Sequence, residues 1–390
     1  MSGPDAWACT SSSSVLFQSD DAATVLLDIP RSLEEAQVLP GHCPKRRIYS
    51  ASPPRLPFPT PDPKSPGLRH ASSSSSSRSV SGAAAHHWST QSPAAQIADL
   101  MTTASVEAAL RALADSYSGP FHLPRLPSPS PHSSAEQQPH SDDRDDQGDG
   151  QDDGGNSNHH SPSCARTLAV PEATPLHGSI QDLRATFHQT APVFDLIVLD
   201  PPWPNRSARR RSAPYPTARR LAEMRALLTS IPVAEHLARN GLVAVWITNK
   251  ASIPELLTSS TAGVFASWGV ELAAEWIWLK ITARGEPMYD VSSVWRKPWE
   301  RILVAKRIGA PTPPRLRSKV ILAVPDLHSR KPNLRGLFGQ ILGDAHYRGL
   351  EVFARNLTAG WWSWGDQVLD FQDGRCWGDV CPAPVACCLK

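Results

Sequence analysis

From about Leu176 onward the sequence predicts a doubly wound α/β sheet, and three observations carry that expectation. Strand-like and helix-like stretches alternate at βα spacing. The stretch Phe194-Asp195-Leu196-Ile197-Val198-Leu199 is a nearly unbroken apolar run, as expected of a strand buried on both faces of a parallel sheet. The unusual polar residues gather just after strand ends, where open α/β sheets bind ligands.

The strand candidates after Phe194–Leu199 are Leu242–Ile247, Glu271–Ile281, Arg301–Ala305, Lys319–Ala323 and Leu350–Ala354. Helical stretches lie between them at Arg219–Leu228, Ile253–Ser259 and Asn333–Ile341. Trp276 and Trp278 alternate along one strand, and Trp361, Trp362 and Trp364 crowd near the C-terminus; both groups read first as core packing.

The first half has a different texture. Of 390 residues, 38 are proline, about double ordinary usage, and the apolar share of 40% falls below the ordinary ~45–50%. Such a chain supports one good core, with much of the remainder as linker. The expected division is residues 1–13 disordered, 14–50 a small N-terminal element and 51–93 a low-complexity linker. An accessory helix at 94–120, a disordered linker at 121–170, the main domain at 171–373 and a tail at 374–390 complete it. In the small element Thr24–Leu27 reads as a strand, and Ser32-Leu33-Glu34-Glu35 as a capping box opening a short helix. In the accessory helix Ile97, Leu100, Met101, Ala104 and Ala108 recur at helical spacing before a Gly119-Pro120 stop, so it is expected to pack on the main domain.

A net charge of +2 excludes both a polyanion-coating protein and an acidic tail protein, so any contact with nucleic acid needs a local basic patch. The seven cysteines have no repeated spacing. The opening Met1-Ser2-Gly3-Pro4-Asp5 is not a secretory signal, and no uncharged apolar run approaches the ~18–20 residues of a membrane span. The expectation is a soluble intracellular protein with reduced thiols. Cys376, Cys381, Cys387 and Cys388 lack paired Cys-x-x-Cys spacing and a nearby histidine, so no metal is expected.

The sharpest feature is Asp200-Pro201-Pro202-Trp203, directly after the strand that starts at Phe194. Two prolines fix φ, remove two N–H donors and leave carbonyls exposed. An acidic side chain, free carbonyls and an aromatic plane suit a planar group that donates hydrogen bonds, such as an amino-substituted base. The Asp200 carboxylate and the Pro201 carbonyl can each accept one amine hydrogen, and Trp203 can stack on the ring. Holding both hydrogens turns the nitrogen lone pair out of conjugation, toward an electrophile. Just beyond, Arg206, Arg209, Arg210, Arg211, Arg219 and Arg220 crowd one loop, a natural phosphate clamp beside the carboxylate.

Further motifs follow in order: Asn205-Arg206-Ser207; Val245-Trp246-Ile247-Thr248-Asn249; Glu275 to Lys280; Lys297-Pro298-Trp299-Glu300; Ser329-Arg330-Lys331-Pro332; Leu350 to Asn356; and Gly360 to Gly365. With Asp200-Pro201-Pro202-Trp203 at their head, they resemble the MT-A70 family of N6-adenine methyltransferases, and within it the methyltransferase-like protein four branch. The resemblance runs from about Phe194 to Gln372 and is faint before it, limited to a strand-like entry around Ser179-Ile180.

That resemblance implies a circularly permuted Rossmann-like methyltransferase sheet, with the catalytic motif first and the cofactor motif last. It implies S-adenosylmethionine as cofactor, held by Ser179, Ile180, Asp200, Ser329, Lys331, Glu351, Arg355, Asn356, Asp366 and Gln367. A carboxylate suits ribose hydroxyls, and Arg355 or Lys331 a methionine carboxylate. The family usually has asparagine at position 366; aspartate keeps the acceptors and loses the donor. The glycine-rich cofactor loop of other methyltransferases is absent, and Phe353-Ala354-Arg355 stands there instead. The catalytic set is Asp200, Pro201, Pro202 and Trp203. The substrate set is Asn205, Arg206, Arg209, Arg210, Arg211, Tyr215, Lys280, Lys297 and Glu300.

The implied function is methyl transfer to adenine N6 in nucleic acid, either DNA or a small nuclear RNA, and so a nuclear location. A catalytically silent nucleic-acid-binding or scaffold subunit is the rival from another class; it would be expected to have lost the acidic residue that Asp200 retains. Methylation of another amine, such as cytosine N4, is a third reading.

Overall fold

The computed structural model describes residues 13–59, 93–129, 167–204, 221–293 and 296–379. The N-terminal elements are β1 (Val15–Gln18), β2 (Thr24–Leu27), α1 (Ile29–Ala36), β3 (Arg46–Ile48) and α2 (Pro93–Ser116). Then come β4 (Thr174–His177), α3 (Ile180–Thr190), β5 (Phe194–Leu199), α4 (Leu221–Thr229), α5 (Val233–His236) and β6 (Leu237–Ile247). The chain continues through α6 (Ser252–Thr258), α7 (Val264–Ser267), β7 (Val270–Lys280), β8 (Trp299–Arg307) and β9 (Lys319–Ala323). It ends with α8 (Arg335–Leu342), β10 (Gly349–Val352), β11 (Trp362–Gly365) and β12 (Trp377–Asp379).

Ten of these strands form one sheet in the order β1-β2-β9-β7-β8-β6-β5-β10-β11-β4. Its pairings are parallel except where β1 meets β2 and where β8 meets β6 and β7. The predicted α/β class holds, with β8 as an antiparallel insertion. Between β5 and β10 the chain connections part, β5 leading on to β6 on one side and β10 to β11 on the other. A crevice opens at the carboxyl ends of strands where connections diverge in this way.

Period-two alternation assigns the two faces. Leu196 and Val198 of β5 share a face with Trp246, Trp276, Trp278, Ile302 and Val304, covered by Leu33 of α1 and by Leu337 and Phe338 of α8. Ile197 and Leu199 share the other face with Val243, Val245, Leu350 and Trp364, under Phe187, Met224, Leu228 and Leu257. Trp276 stacks on Phe338 at 4.7 Å, and Trp364 on Phe187 at 4.5 Å, so the tryptophan clusters are core, as their pattern predicts.

The N-terminal elements are built into this sheet. β2 pairs with β9, so the small element is an extension of the main sheet and not a separate unit. Its helix begins earlier than the capping box predicts. Asp28 is the N-cap, accepting from the Arg31 N–H at 2.9 Å, with Pro30 in the first turn; Ser32 sits inside the helix and donates to the Ile29 carbonyl. The accessory helix α2 also packs the other way round. Val106, Ala109 and Leu113 are its buried face, whereas Ile97, Leu100 and Met101 are 58%, 58% and 67% exposed. Both triads fit helical spacing, and β2, β7 and β9 accept the one with the smaller side chains.

Two stretches expected to be unstructured carry contacts. Residues 121–126 are threaded against the domain: Leu123 N–H donates to Asp28, Ser50 N–H to the Leu126 carbonyl and Arg47 to the Pro124 carbonyl. At the other end β12, inside the expected tail, pairs with β3. Among the described residues no cluster of metal-ligating side chains occurs, and no helix is long and apolar enough to cross a membrane. Cys381, Cys387 and Cys388 lie outside the described residues.

Candidate active site

The same alternation that buries one sheet face also builds a charged rim. Asp200 lies two residues beyond Val198, Lys280 two beyond Trp278, and Glu300 two before Ile302 on the antiparallel β8. All three therefore extend one face of the sheet past its apolar part, at the end where β5 and β7 finish and β8 begins. Lys280 Nζ donates to Glu300 Oε1 at 2.6 Å. Lys331 Nζ donates to the other Glu300 oxygen and stands 3.7 Å from Asp200 Oδ1. Beneath these charges lie two indoles: the Lys331 ammonium is 4.9 Å from the Trp246 ring centroid, and that of Lys280 is 4.7 Å from that of Trp278.

These groups do not titrate alike. Burial alone would raise the Glu300 carboxyl, but Lys331 and Lys280 override it and hold it down to about 2. Burial pushes Asp200 up; Lys331 pulls it back, while Glu300 adds to the rise. Burial would lower Lys331, and Asp200 and Glu300 more than reverse it, so the ammonium stays charged.

On the neighbouring β10, Glu351 stands half-buried beside Asp200. Burial and the Asp200 charge push its carboxyl up to about 8, with Arg355 opposing. The chain then turns through Phe353, whose φ of 62° is left-handed for a non-glycine residue, and presents Arg355 to the Ser329 hydroxyl. Asp200, Ser329, Arg330, Lys331, Pro332, Asn333, Glu351, Phe353, Arg355 and Asn356 line one cleft, together with Leu33 of α1 and Phe371.

Six of the residues predicted for the cofactor thus share a wall: Asp200, Ser329, Lys331, Glu351, Arg355 and Asn356. The other four lie one strand or more away, at the ends of β4 and β11. Ser179 caps α3, its hydroxyl accepting from Asp182 N–H at 3.1 Å, and Ile180 is buried. Asp366 follows β11, its carbonyl oxygen 3.0 Å from His177 Nε2, and the Gln367 carbonyl accepts from Asp370 N–H. Leu33, Arg330, Pro332, Asn333, Phe353 and Phe371 are additions. Arg330, Pro332 and Phe353 sit inside the motifs, Asn333 and Phe371 follow them closely, and Leu33 comes from a distant part of the chain with no local signal.

The turn after β5 departs from its expected use. Trp203 is only 8% exposed, packs in the core of the face opposite Asp200, and donates its indole N–H to the Trp246 carbonyl at 2.7 Å. It is an anchor for the turn and not an open stacking plane. Its backbone N–H donates to the Pro201 carbonyl at 2.8 Å, which leaves that oxygen one further lone pair. Pro202 is half-buried beside it. Lys297 is likewise committed: it pairs with Asp99 of α2 at 3.0 Å and lies over Trp299, so it is not free for a phosphate. Asn205, Arg206, Arg209, Arg210, Arg211, Tyr215, Arg219 and Arg220 lie outside the described residues.

The MT-A70 family model matches residues 194–367. The N6-methyladenosine RNA methyltransferase MTA1 of Cryphonectria parasitica is 47% identical over 373 residues, covering 93% of this chain and 94% of that protein. The chain belongs to the MT-A70 family. It is accordingly a methyltransferase. A protein of the same name from Pyricularia oryzae is 41% identical, covering 93% of the chain and 96% of its own length. The human N(6)-adenine-specific methyltransferase METTL4 is 37% identical over 46% of the chain and 38% of its own length. The MT-A70 match opens at the first residue of β5 and closes just past β11, so it contains every cleft residue except Leu33 and Phe371.

Proposed function

We propose that this MT-A70 protein transfers a methyl group from S-adenosylmethionine to N6 of adenosine in RNA. The observation that carries the reading is the juxtaposition, in one cleft, of Asp200 with Glu351, Arg355, Lys331 and Asn356. The RNA assignment is supported by the two relatives that align with nearly the whole chain, both named as RNA methyltransferases.

The donor set fits that cofactor. Among the described residues the half-buried Glu351 carboxyl, which faces the cleft, accepts no hydrogen bond; a pair of ribose hydroxyls would suit it. Arg355 and Lys331 supply cations for a carboxylate, and Asn356 an amide that both donates and accepts. When bound, the cofactor would supply an electrophilic methyl group.

The protein's own part is positioning. Asp200 and the spare lone pair of the Pro201 carbonyl accept the two hydrogens of the adenine amine, which aims its lone pair into the cleft. Trp203 holds the turn from behind through its bond to the Trp246 carbonyl. Lys331 fixes the Asp200 carboxylate from the side, and Glu300, held by two lysines, fixes Lys331. A methylated amine becomes acidic, and its proton has Asp200 as the adjacent acceptor, a carboxylate whose affinity for protons burial has already raised. Orientation of this kind is the larger share of what such a site contributes.

The test uses the full chain, tritiated cofactor and matched RNA and DNA oligonucleotides. Label is expected in RNA adenosine. Asp200→Ala is expected to lose on the order of 10³-fold in rate, as removal of an orienting acceptor does, while cofactor binding stays measurable by calorimetry. An active alanine variant would overturn the mechanism, preferential labelling of DNA the substrate, and failure of the wild-type protein to bind cofactor would favour a scaffold. A nuclear location belongs to the same proposal, and a fluorescent fusion concentrated in the cytoplasm would count against it.

A further inference from the structure

Beneath the cofactor side of the cleft lies a buried cluster of charges that the chemistry does not use. Asp326, just past β9, has a side chain with no exposed surface. It accepts from Arg330 Nη1 at 2.6 Å and from the Ala51 backbone N–H at 2.8 Å, and faces Arg125 Nη1 at 3.2 Å. Arg330 also donates to the Tyr49 carbonyl at 2.8 Å and lies over the Phe371 ring. Arg125 donates to the Val324 carbonyl at 3.0 Å. The two arginine side chains are 6% and 2% exposed.

This arrangement is a poor one for stability alone. Two guanidinium groups share one carboxylate, and among the described residues the Nε atoms of both arginines and Arg125 Nη1 have no hydrogen-bond partner, so Arg125 meets Asp326 as an ion pair only. Such burial recovers its desolvation cost incompletely, and an apolar trio of similar volume would do as well or better. What the cluster does achieve is geometric. It pins the 326–330 turn from two separate stretches of chain, one at Tyr49 and Ala51 and the other at Arg125. The turn holds Ser329 in a left-handed conformation, φ 61°, which a serine keeps only when its surroundings impose it. Ser329 meets Arg355, and Lys331, one residue past Arg330, reaches Glu300 and Asp200.

We propose that Arg125 and Asp326 are positioning residues for the cofactor-side loop 327–333, and that residues 121–126 act as an intramolecular strap that sets this loop for binding. The strap belongs to a stretch whose composition reads as linker and which lies outside the matched family region. It couples the N-terminal half to the site without touching a ligand.

The test uses the full chain carrying Arg125→Met, which keeps the stem and removes the charge, and Arg125→Lys, which keeps the charge and loses the fork. In Arg125→Met the amides of 327–333 are expected to exchange about tenfold faster, with β5 and β6 protected as before, and affinity for S-adenosylmethionine to fall about tenfold. Arg125→Lys is expected to recover part of both. The affinity arm rests on the proposed cofactor; the exchange arm does not, so a wild-type protein that fails to bind the cofactor would sink that reading and leave this one to be decided by exchange. Unchanged exchange at 327–333 in Arg125→Met, or a loss of protection spread evenly over the sheet, would overturn the positioning role.

Discussion

Binding of the cofactor is expected to expel a proton from Glu351. In the free protein that carboxyl is pushed up to about 8 by burial and by the Asp200 charge, against an ordinary value near 4.5. At pH 7 it is therefore protonated in about 0.9 of the molecules, and at pH 9.5 in only about 0.03. Ribose hydroxyls that donate to Glu351 need the carboxylate form, and a sulfonium entering the cleft favours it further. Calorimetric titration with S-adenosylmethionine in two buffers of different ionisation enthalpy reads the proton directly: release of up to about 0.9 per site at pH 7, and almost none at pH 9.5. Glu351→Gln should abolish the buffer dependence. Buffer-independent enthalpies for the wild type at pH 7 would refute the argument. The unliganded protein carries the linked effect. An acid whose folded value lies above its unfolded one leaves the folded state holding the extra proton between about 4.5 and 8, so stability declines as pH climbs through that window and is indifferent to this group above it.

Gly349 opens β10 with a Trp361 ring against its backbone, and a Cβ there would sit 2.2 Å from two ring atoms. Because Trp361 is buried and tilted against Tyr347 at 5.5 Å, it cannot swing away freely; Gly349→Ala should cost about 3 kcal/mol in urea denaturation, and a wild-type midpoint would refute it. Asp99→Ala removes the partner of Lys297 and should cost no more than about 1 kcal/mol, with cofactor affinity unchanged in calorimetry. A large fall in affinity would mean that the helix contact reaches the cleft after all.

Much of the site was legible because its signals are local. Asp200, Lys331, Glu351 and Arg355 each close or follow a strand or loop whose apolar pattern stands beside them, and the sheet brings those ends together. The errors have a common source, since local pattern does not say which face a neighbour will cover. Trp203 reads as an open plane because nothing local tells that the strand's second face continues beneath it. The exposed triad of α2 fits a helix as well as the buried one does, and only β2, β7 and β9 decide between them. The capping box at Ser32 is overruled by Asp28 and Pro30 one turn earlier. Arg125 could not be read at all: its surroundings are proline and serine, and its meaning comes from Asp326, far along the chain.

The arrangement of charge in the cleft explains why Asp200 and Glu351 remain available. Three carboxylates, Asp200, Glu300 and Glu351, face three cations, Lys280, Lys331 and Arg355, so an even pairing would leave nothing for a ligand. The pairing is uneven. Glu300 takes both lysines at hydrogen-bond distance, while among the described residues Asp200 keeps one longer cation contact of 3.7 Å and Glu351 accepts no hydrogen bond. Glu300 thus absorbs cations that would otherwise neutralise Asp200, and it does so at the start of an antiparallel strand, the one insertion in this part of the sheet that brings a strand's first residues to the carboxyl end. Proton affinity then rises on the β5–β10 side, where an amine is to be held, and falls on the β7–β8 side, where charge is only stored. That gradient across five neighbouring strands, β7 to β10 through β8, β6 and β5, follows from strand direction and side-chain parity, and it gives β8 a functional reason to run against its neighbours.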